Sequence, residues 1–413
     1  MDKISVLEPQ FQMNPTKEKA LELADALQYI KKYKKAISYY EFALAISPLN
    51  EKQTANYFNS LFEYGDYKTS FSVAQNYKLR FGSNKFLAKL DSFEKLSKND
   101  NVNVENYAII NSPNNEYGLF PLFADYKIVN SDVIVNNNSL YTSDNNLNKF
   151  IKPYIVSLVD TSTTTPNFYP LFENSNMNNI ISYYDETEKK IYITRSNENK
   201  FSYRKNMNKN TTMKIFISNI DAFFKISEPV EFQYNSEDYS CGQACVSKDG
   251  QMLYFVSDMP GGYGGSDIYR CMKLEDGTWG KPINLGTNVN TSGDEMFPAI
   301  SPSGNMLYYS STGHSIFGGM DIVKSSRTRA NVFGKPINLG APYNSNKDDF
   351  AIVFTDKEGK RGYFSSNRTD GLGGDDIYHF KFETAEEKTK QQEIEKIKSD
   401  PPALNPTKLQ VED

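Results

Sequence analysis

The chain of 413 residues contains only two His and three Cys. A hydrolase that relies on imidazole has two candidates here, His314 and His379, and neither stands in a nucleophile motif. Cys241, Cys245 and Cys271 fall in one short stretch, without a second cluster that would complete a zinc site. We interpret them as buried apolar side chains or at most one disulfide, and we expect no metal ion, no cofactor and no catalysis.

The chain also lacks an excess of charge and a long apolar run. Lys and Arg total 46 against 51 Asp and Glu, a formal net charge of -5. This balance produces no field that would hold a polyanion, which argues against a nucleic-acid partner. No apolar run approaches the roughly 18–20 residues of a membrane span, and the N-terminus lacks the regions of a signal peptide. We therefore expect either a cytosolic protein or one whose export signal was removed.

Aromatic residues, by contrast, are abundant. The 28 Tyr and 27 Phe supply the burial that Leu and Val usually provide, so the chain is expected to fold. Because single cores stop growing near roughly 250–300 residues, the length predicts at least two domains.

Residues 17–98 show helical spacing of apolar residues with a 34-residue repeat. Small residues (Ala20, Ala36, Ala43) stand where two antiparallel helices would cross, Pro48 would end the second helix, and 64–67 would form the next inter-helix turn. Two such repeats fall below the three or so that stand alone. We therefore expect the helices to pack on the following domain or on a partner.

The following residues contain a second repeat, built of short strands. Three copies begin at residues 248, 302 and 357, and each continues into a Gly-Gly-x-Asp-Ile motif, at 264–268, 318–322 and 373–377. A unit of about 54 residues with four strands is typical of a propeller blade. The outer strand of each blade is predicted at a Pro-Ile-Asn-Leu motif, because an edge strand tolerates proline.

Two worn copies at 118–160 and 179–221 extend the series. The expected fold is therefore α-helical tetratricopeptide repeats followed by an all-β propeller of five blades, with six as the alternative count. The last copy lacks its outer strand, and residues 105–112 resemble 230–236 and would supply it. Closure by that strand would hide two sheet edges and tie the helices to the ring.

These repeats resemble known families. The helical part resembles the tetratricopeptide family, and the blades resemble WD-type and TolB-type propeller repeats of bacterial envelope proteins. Their order resembles the OmpA-like multidomain proteins of Bacteroidota, which include components of type IX secretion. The resemblance implies a periplasmic protein associated with the outer membrane. It also implies peptidoglycan binding through a C-terminal domain that this chain does not contain.

We expect an N-terminal extension at 1–16, a helical domain at 17–98, the propeller at 104–382 and a charged linker or tail at 383–413. The tail is interpreted as a helix that continues into a linker, because it is charged and then contains prolines. On this interpretation the chain is either a trimmed piece of a longer protein or a short relative.

Each Gly-Gly pair follows an apolar residue: Tyr263, Phe317 and Leu372. Exposed at one blade position, the three would form a ring of partner anchors on one propeller face, unless they fold back onto a neighbouring blade. The glycines are explained by a tight loop. The motif aspartates are expected to accept hydrogen bonds from turn amides; they are Asp267, Asp321 and Asp376.

Paired carboxylates precede three inner strands, at Glu237-Asp238, Asp294-Glu295 and Asp348-Asp349. Their repetition favours strand capping; contact with a basic partner and a catalytic pair are the alternatives. The insertion at 197–212 is basic, which indicates either a solvated loop or a partner contact. Its candidate residues are Lys200, Arg204 and Lys205.

The expected function is a non-enzymatic protein–protein interaction scaffold of the bacterial periplasm or outer membrane. By resemblance, its protein partners would belong to the cell envelope and to type IX secretion or gliding machinery. One alternative is a propeller that binds glycan or peptidoglycan, or a carbohydrate-active enzyme, which carboxylates and aromatics in the propeller channel would favour. A cytosolic adaptor is a third possibility.

Overall fold

The structure is a computed structural model. It describes residues 3–30, 32–96, 101–123, 125–133, 135–136, 139–140, 151–157, 167–172, 177–196, 212–328 and 332–384. Among these residues, no helix has the length and apolar character that crossing a membrane requires.

Six helices form the N-terminal part. They are α1 (Lys3–Met13), α2 (Lys17–Tyr29), α3 (Tyr33–Ile46), α4 (Glu51–Tyr64), α5 (Tyr67–Phe81) and α6 (Lys85–Leu96). The small residues of the repeat, Ala20, Ala36 and Ala43, are fully buried where α2, α3 and their neighbours pack. This arrangement is consistent with tetratricopeptide-type pairs. Helix α1 lies in the stretch expected to be an extension, and its Ile4 and Leu7 join the same core.

Local sequence explains where these helices begin and end. Asn50 and Gln53 form a reciprocal capping box at the start of α4, which satisfies two amides that the helix leaves unpaired. At the predicted inter-helix turn, Gly65 ends α4 with a φ of 94° and Asp66 caps α5 by accepting from the Thr69 amide. Glycine adopts that left-handed conformation without steric cost.

Five four-stranded sheets follow, each pairing its strands antiparallel. The first strand of the chain, β1 (Val102–Asn106), belongs to the last sheet. Blade 1 contains β2 (Glu116–Pro121), β3 (Tyr126–Ser131), β6 (Lys152–Ser157) and β7 (Phe168–Pro170), with a small hairpin of β4 (Val135–Asn136) and β5 (Ser139–Leu140). Blade 2 contains β8 (Asn179–Asp185), β9 (Lys190–Ser196), β10 (Met213–Asn219) and β11 (Val230–Glu231).

Blade 3 contains β12 (Cys241–Val246), β13 (Met252–Ser257), β14 (Asp267–Met272) and β15 (Ile283–Asn284). Blade 4 contains β16 (Glu295–Ile300), β17 (Met306–Ser311), β18 (Asp321–Ser326) and β19 (Ile337–Asn338). Blade 5 contains β20 (Asp349–Phe354), β21 (Arg361–Ser366) and β22 (Asp376–Phe382), and β1 completes it. The all-β propeller and its count of five blades are confirmed.

The N-terminal strand closes the ring, as expected, but it lies earlier than expected. Strand β1 pairs with β22 from Val102 opposite Phe382 to Asn106 opposite Tyr378. Residues 107–112, part of the expected strand, instead form the connection to blade 1. Asn111 in this connection donates to and accepts from the backbone of Ile377, so the similarity to 230–236 reflected a shared loop.

We call the propeller face that carries the Gly-Gly loops the loop face. The opposite face, where turns join the first and second strands of each blade, is the hairpin face. The helices dock on the loop face at blade 4 and at its connection to blade 5. There the rings of Phe93 and Phe317 lie 4.7 Å apart, and the Asn346 side chain donates to the carbonyl of Glu63 at 3.1 Å. The helices therefore pack on the following domain, one of the two arrangements expected.

Candidate functional site

The three proposed anchors do not share one environment. Tyr263 in blade 3 and Leu372 in blade 5 are exposed, at 52% and 56%, but Phe317 in blade 4 is only 1% exposed. Helix α6 covers Phe317 with Phe93. The expected ring of three free anchors is therefore corrected to two, because the middle position is occupied by the chain's own helical domain.

The aspartate of each Gly-Gly-x-Asp-Ile motif caps its loop. Asp321 accepts from the amides of Ile316 and Phe317, at 2.6 and 2.9 Å, and from the side chain of Asn338 at 2.7 Å. Asp267 and Asp376 accept from the corresponding loop amides in blades 3 and 5. The predicted hydrogen bonds to turn amides are thus present in all three copies.

In the pairs Asp294-Glu295 and Asp348-Asp349, the first and the second carboxylate have different surroundings. Asp294 accepts from the Ser266 amide in the loop of the preceding blade, and Asp348 accepts from the Asn367 side chain. Glu295 is fully buried and accepts from the backbone and hydroxyl of Thr291. The contact between Asp294 and Ser266 joins neighbouring blades, whereas the other contacts lie within one blade and the loop that leads into it.

Asp349 is also fully buried, and burial raises the pKa of its carboxyl. The Arg368 guanidinium lies 2.7 Å away and offsets part of that cost. Glu295 and Asp349 were candidates for partner contact, and the structure instead places both inside the propeller. The basic candidates, Lys200, Arg204 and Lys205, lie outside the described residues.

A second candidate site, which the sequence did not predict, is a cavity of about 620 Å³ on the propeller axis. The first strands of the five blades form its wall, and the turns of the hairpin face form its rim. Toward the loop face an aromatic cluster closes it, with the Phe350 ring 5.0 Å from Phe297 and 6.1 Å from Tyr117. We call this blind cavity the cup.

Every first strand carries a bulge where it lines the cup. Gln243, Phe297 and Ala351 occupy these bulges with φ between 51° and 54°, a conformation that costs a non-glycine residue roughly 1–2 kcal/mol. Gly118 takes the same conformation in blade 1. The same strained backbone conformation therefore occurs at one depth of the cup in blades 3, 4 and 5.

Side chains of the preceding blade hold the bulges in a chain of hydrogen bonds around the ring. Ser365 accepts from the Gly118 amide, Asn130 from the Ile181 amide, and Thr194 from the Gln243 amide. Gln243 then accepts, through Oε1, from the Phe297 amide at 2.9 Å. Polar residues at one position of the second strands, Asn130, Thr194 and Ser365, were the available sequence signal.

The cup contains little charge below its rim. The carboxylates that line it, Asp185, Glu186, Glu188, Asp249 and Asp356, belong to the hairpin face. Hydrogen bonds from Lys190 and Lys273 lower the pKa of Glu188, and one from Ser247 lowers that of Asp249. A glycosidase general acid needs a raised pKa, which neither of these two groups has.

The described part of the chain contains no candidate metal site and no reactive thiol. Its His, Cys, Asp and Glu side chains form no group of three that could hold a metal ion. The three cysteines are buried and form no disulfide, and burial raises the pKa of Cys241 to about 11 and that of Cys271 to about 12. Such thiols are protonated at neutral pH and poorly reactive.

The contact between helices and propeller contains a charged cluster in which Glu63 and Lys89 are partly buried and Asp321 is fully buried. Burial raises the pKa of Glu63 to about 7, although the Lys89 ammonium lies 3.9 Å from its Oε1. Burial likewise lowers the pKa of Lys89 and raises that of Asp321 to about 6. The cost of removing Glu63 and Lys89 from water therefore outweighs the attraction between their charges at this contact.

No protein-family model and no curated protein matches the chain. Among solved structures, a Dyadobacter fermentans protein of unknown function is similar at 10% identity and a TM-score of 0.38, over 68% of this chain and 100% of that one. An α-L-arabinofuranosidase from Lactobacillus brevis is similar at 11% identity and 0.38, over 67% and 92%. A puromycin hydrolase is similar at 9% and 0.34, over 65% and 44%, so the chain spans less than half of that enzyme. At these scores the similarities assign no function.

Proposed function

We propose that the protein is a non-enzymatic scaffold that binds protein partners through the loop face. The observation that carries this proposal is the position of the docked helices. They cover the anchor of blade 4 and leave Tyr263 and Leu372 exposed in the blades on either side. Apolar side chains on loops held by buried aspartate caps form a preformed surface, which limits the ordering cost of association.

We further propose a cellular setting for this scaffold, on the basis of the family resemblance. The order of helical repeats and Gly-Gly-x-Asp-Ile blades resembles the OmpA-like envelope proteins of Bacteroidota. The setting is the periplasm at the outer membrane, with partners in type IX secretion or gliding machinery. The fold supplies what such a role needs, namely two domains held in one arrangement.

The double variant Tyr263→Ser, Leu372→Ser tests the loop face. We expect it to lose at least ~10-fold in affinity for a partner that the wild-type chain retains from a bacterial envelope extract, because truncating a central apolar anchor of an interface costs about 1 kcal/mol or more. Ile283→Ser is the matched control, since Ile283 is equally exposed at 55% but lies on an outer strand. Retention of the partner by the double variant, or its loss from the control, contradicts the proposal.

A carbohydrate-binding or carbohydrate-active propeller is the second candidate, which the size and the aromatic walls of the cup favour but its few hydrogen-bonding groups do not. The cup has the volume of a ligand site and aromatic walls that include Phe120, Tyr183 and Phe297. Heating the chain with and without neutral oligosaccharides and peptidoglycan fragments tests this function. A ligand that binds the folded state raises the unfolding midpoint, and turnover of the fragments would identify an enzyme.

A further inference from the structure

The cup has the lining of a site for an uncharged, partly apolar chain. Its accessible wall includes Phe120, Tyr183, Phe297, Val353 and Phe354. The charged side chains that line the cavity lie on the turns at its mouth or, in the case of Asp185, at the end of the strand that leads into the turn. A charged ligand would therefore lose its hydration below the rim without gaining a partner.

Two hydrogen-bonding groups in this wall are unused within the described residues. Gln243 engages its Oε1 with the Phe297 amide, while its Nε2 has no partner there. The Tyr183 hydroxyl likewise has no hydrogen-bond partner among those residues. Two donors suit the scattered carbonyls of a peptide, whereas a buried sugar presents many hydroxyls that would remain unsatisfied.

Aromatic walls with a few donors match one peptide conformation in particular. Proline-rich segments prefer the polyproline II form, whose carbonyls have no internal hydrogen bonds, and they dock in aromatic-lined sites. Because proline restricts the free segment already, binding costs less conformational entropy.

The chain carries such a segment, and the last described strand of the propeller ends on the face where the cup opens. Strand β22 finishes on the hairpin face, where the Phe382 amide donates to the carbonyl of Lys360 in the turn of blade 5. Residues 355–357 of that turn line the cup. After Thr384, the last described residue, the sequence continues to the uncharged stretch Pro-Pro-Ala-Leu-Asn-Pro at 401–406.

The length of the connection permits the stretch to reach the cup. Sixteen residues lie between Thr384 and Pro401. They span about 25 Å at a helical rise and more than 50 Å when extended. Strand β22 is the third of its blade, so the axis-facing strand lies only about 10 Å inward.

We propose that the cup is the binding site of the chain's own residues 401–406. Leu404 is the apolar side chain that enters the cavity, the prolines pack on its aromatic wall, and Gln243 and Tyr183 donate to the carbonyls. Asp400 and Lys408, which flank the stretch, remain at the rim beside charges of both signs, among them Lys357 and Asp356. This site is independent of the proposed scaffold surface, which lies on the opposite face.

A labelled synthetic peptide of residues 399–408, titrated into the full chain and followed by fluorescence anisotropy, tests the site. In the wild type the tethered segment competes at an effective concentration near millimolar, so the probe binds weakly. The substitution Leu404→Asp in the protein removes that competitor. Because residue 404 is not part of the propeller sequence, the cup itself is unchanged. We expect this variant to bind the probe at least ~10-fold more tightly than the wild type.

Two changes in the cup locate the binding. In the Leu404→Asp protein, Gln243→Glu keeps the acceptor for Phe297 but loses the donor, and Tyr183→Phe loses only the free hydroxyl. Each is expected to weaken probe binding by ~5-fold or more, whereas Tyr263→Phe removes a hydroxyl on the loop face and leaves it unchanged. If Gln243→Glu fails to fold, Tyr183→Phe still decides, because its hydroxyl makes no hydrogen bond within the described residues.

Three outcomes overturn the proposal. One is the absence of probe binding by the Leu404→Asp protein, and another is equal affinity in that protein and the wild type. The third is a wild-type dimer in light scattering that Leu404→Asp converts to a monomer, since the segment would then come from a second copy.

Discussion

At the scale of single residues, the propeller depends on side chains that make hydrogen bonds which the backbone of a neighbouring strand would otherwise make. Asn290 accepts from the amide of Ile268 and donates to its carbonyl, at 2.9 and 3.0 Å. Asn344 does the same for Ile322, and Asn111 for Ile377. A buried amide side chain thus extends the third strand's hydrogen bonding, where another strand would otherwise be needed.

Asn290→Ala should therefore lower the free energy of unfolding by about 2–3 kcal/mol. The change leaves the buried amide of Ile268 without a partner, and such a group costs its full desolvation. Urea unfolding measures the effect. Asn305→Ala, an exposed position whose side chain makes no hydrogen bond in the described residues, should change stability by less than about 0.5 kcal/mol. Equal effects of the two changes would contradict this role.

The residues of the loops could be predicted from the sequence, and those of the cup could not. Gly-Gly-x-Asp-Ile recurs in three blades, and aspartate beside a tight glycine loop has one common use, which is to accept from its amides. The bulges carry a different residue in each blade, Gln243, Phe297 or Ala351 among them, and none of these favours a positive φ. Hydrogen bonds from the preceding blade hold that conformation at Gln243 and Phe297, so the sequence at the bulge itself does not reveal it.

At the scale of elements, β1 joins the helical part to the ring by completing blade 5. Its Val102 is 7% exposed and lies in a core with Ile352, Phe364 and Phe380. The need for such a strand followed from the incomplete last copy. The predicted position lies a few residues beyond the observed strand, because the similarity between 105–112 and 230–236 lies in the asparagine-containing loop that follows an outer strand.

Val102→Asp should therefore destabilise the ring closure specifically. An unpaired carboxylate in this core is expected to cost at least ~3 kcal/mol in unfolding free energy. Amide hydrogen exchange should accelerate in β22, which would become an edge strand, more than in β13 of the opposite blade. Asn101→Asp places the same charge at an exposed neighbour and serves as the control. Uniform acceleration in all blades, or none in β22, would argue against closure by β1.

At the scale of the whole molecule, the helices select one blade of the five. Tyr263, Phe317 and Leu372 are indistinguishable in their repeat, and what separates Phe317 is Phe93, far away in sequence. The contact could be anticipated, because two repeats leave an apolar face uncovered. Its location depends on the complementary shapes of the helical part and the propeller, which no repeat pattern encodes.

The same contact predicts how the stability of the molecule depends on pH. Burial raises the pKa of Glu63 from 4.5 to about 7, so the folded chain holds a proton that the unfolded chain releases between these values. Stability from this group is complete below pH 4.5 and is lost as pH rises through 7. Asp321, raised to about 6, acts in the same direction. The unfolding free energy should rise by about 1–3 kcal/mol when pH falls from 8 to 5.

Glu63→Gln separates this contribution from the rest, because glutamine resembles the protonated carboxyl and does not titrate. The variant should be more stable than the wild type at pH 8 and should lose the larger part of the rise between pH 8 and 5. Lys89, Lys347 and Asp348 also face Glu63, and the variant leaves all three side chains in place. Thermal unfolding across this range, with the exposed Glu358→Gln as control, measures the slope. If stability depends on pH in Glu63→Gln as strongly as in the wild type, Glu63 is not the cause of the pH dependence.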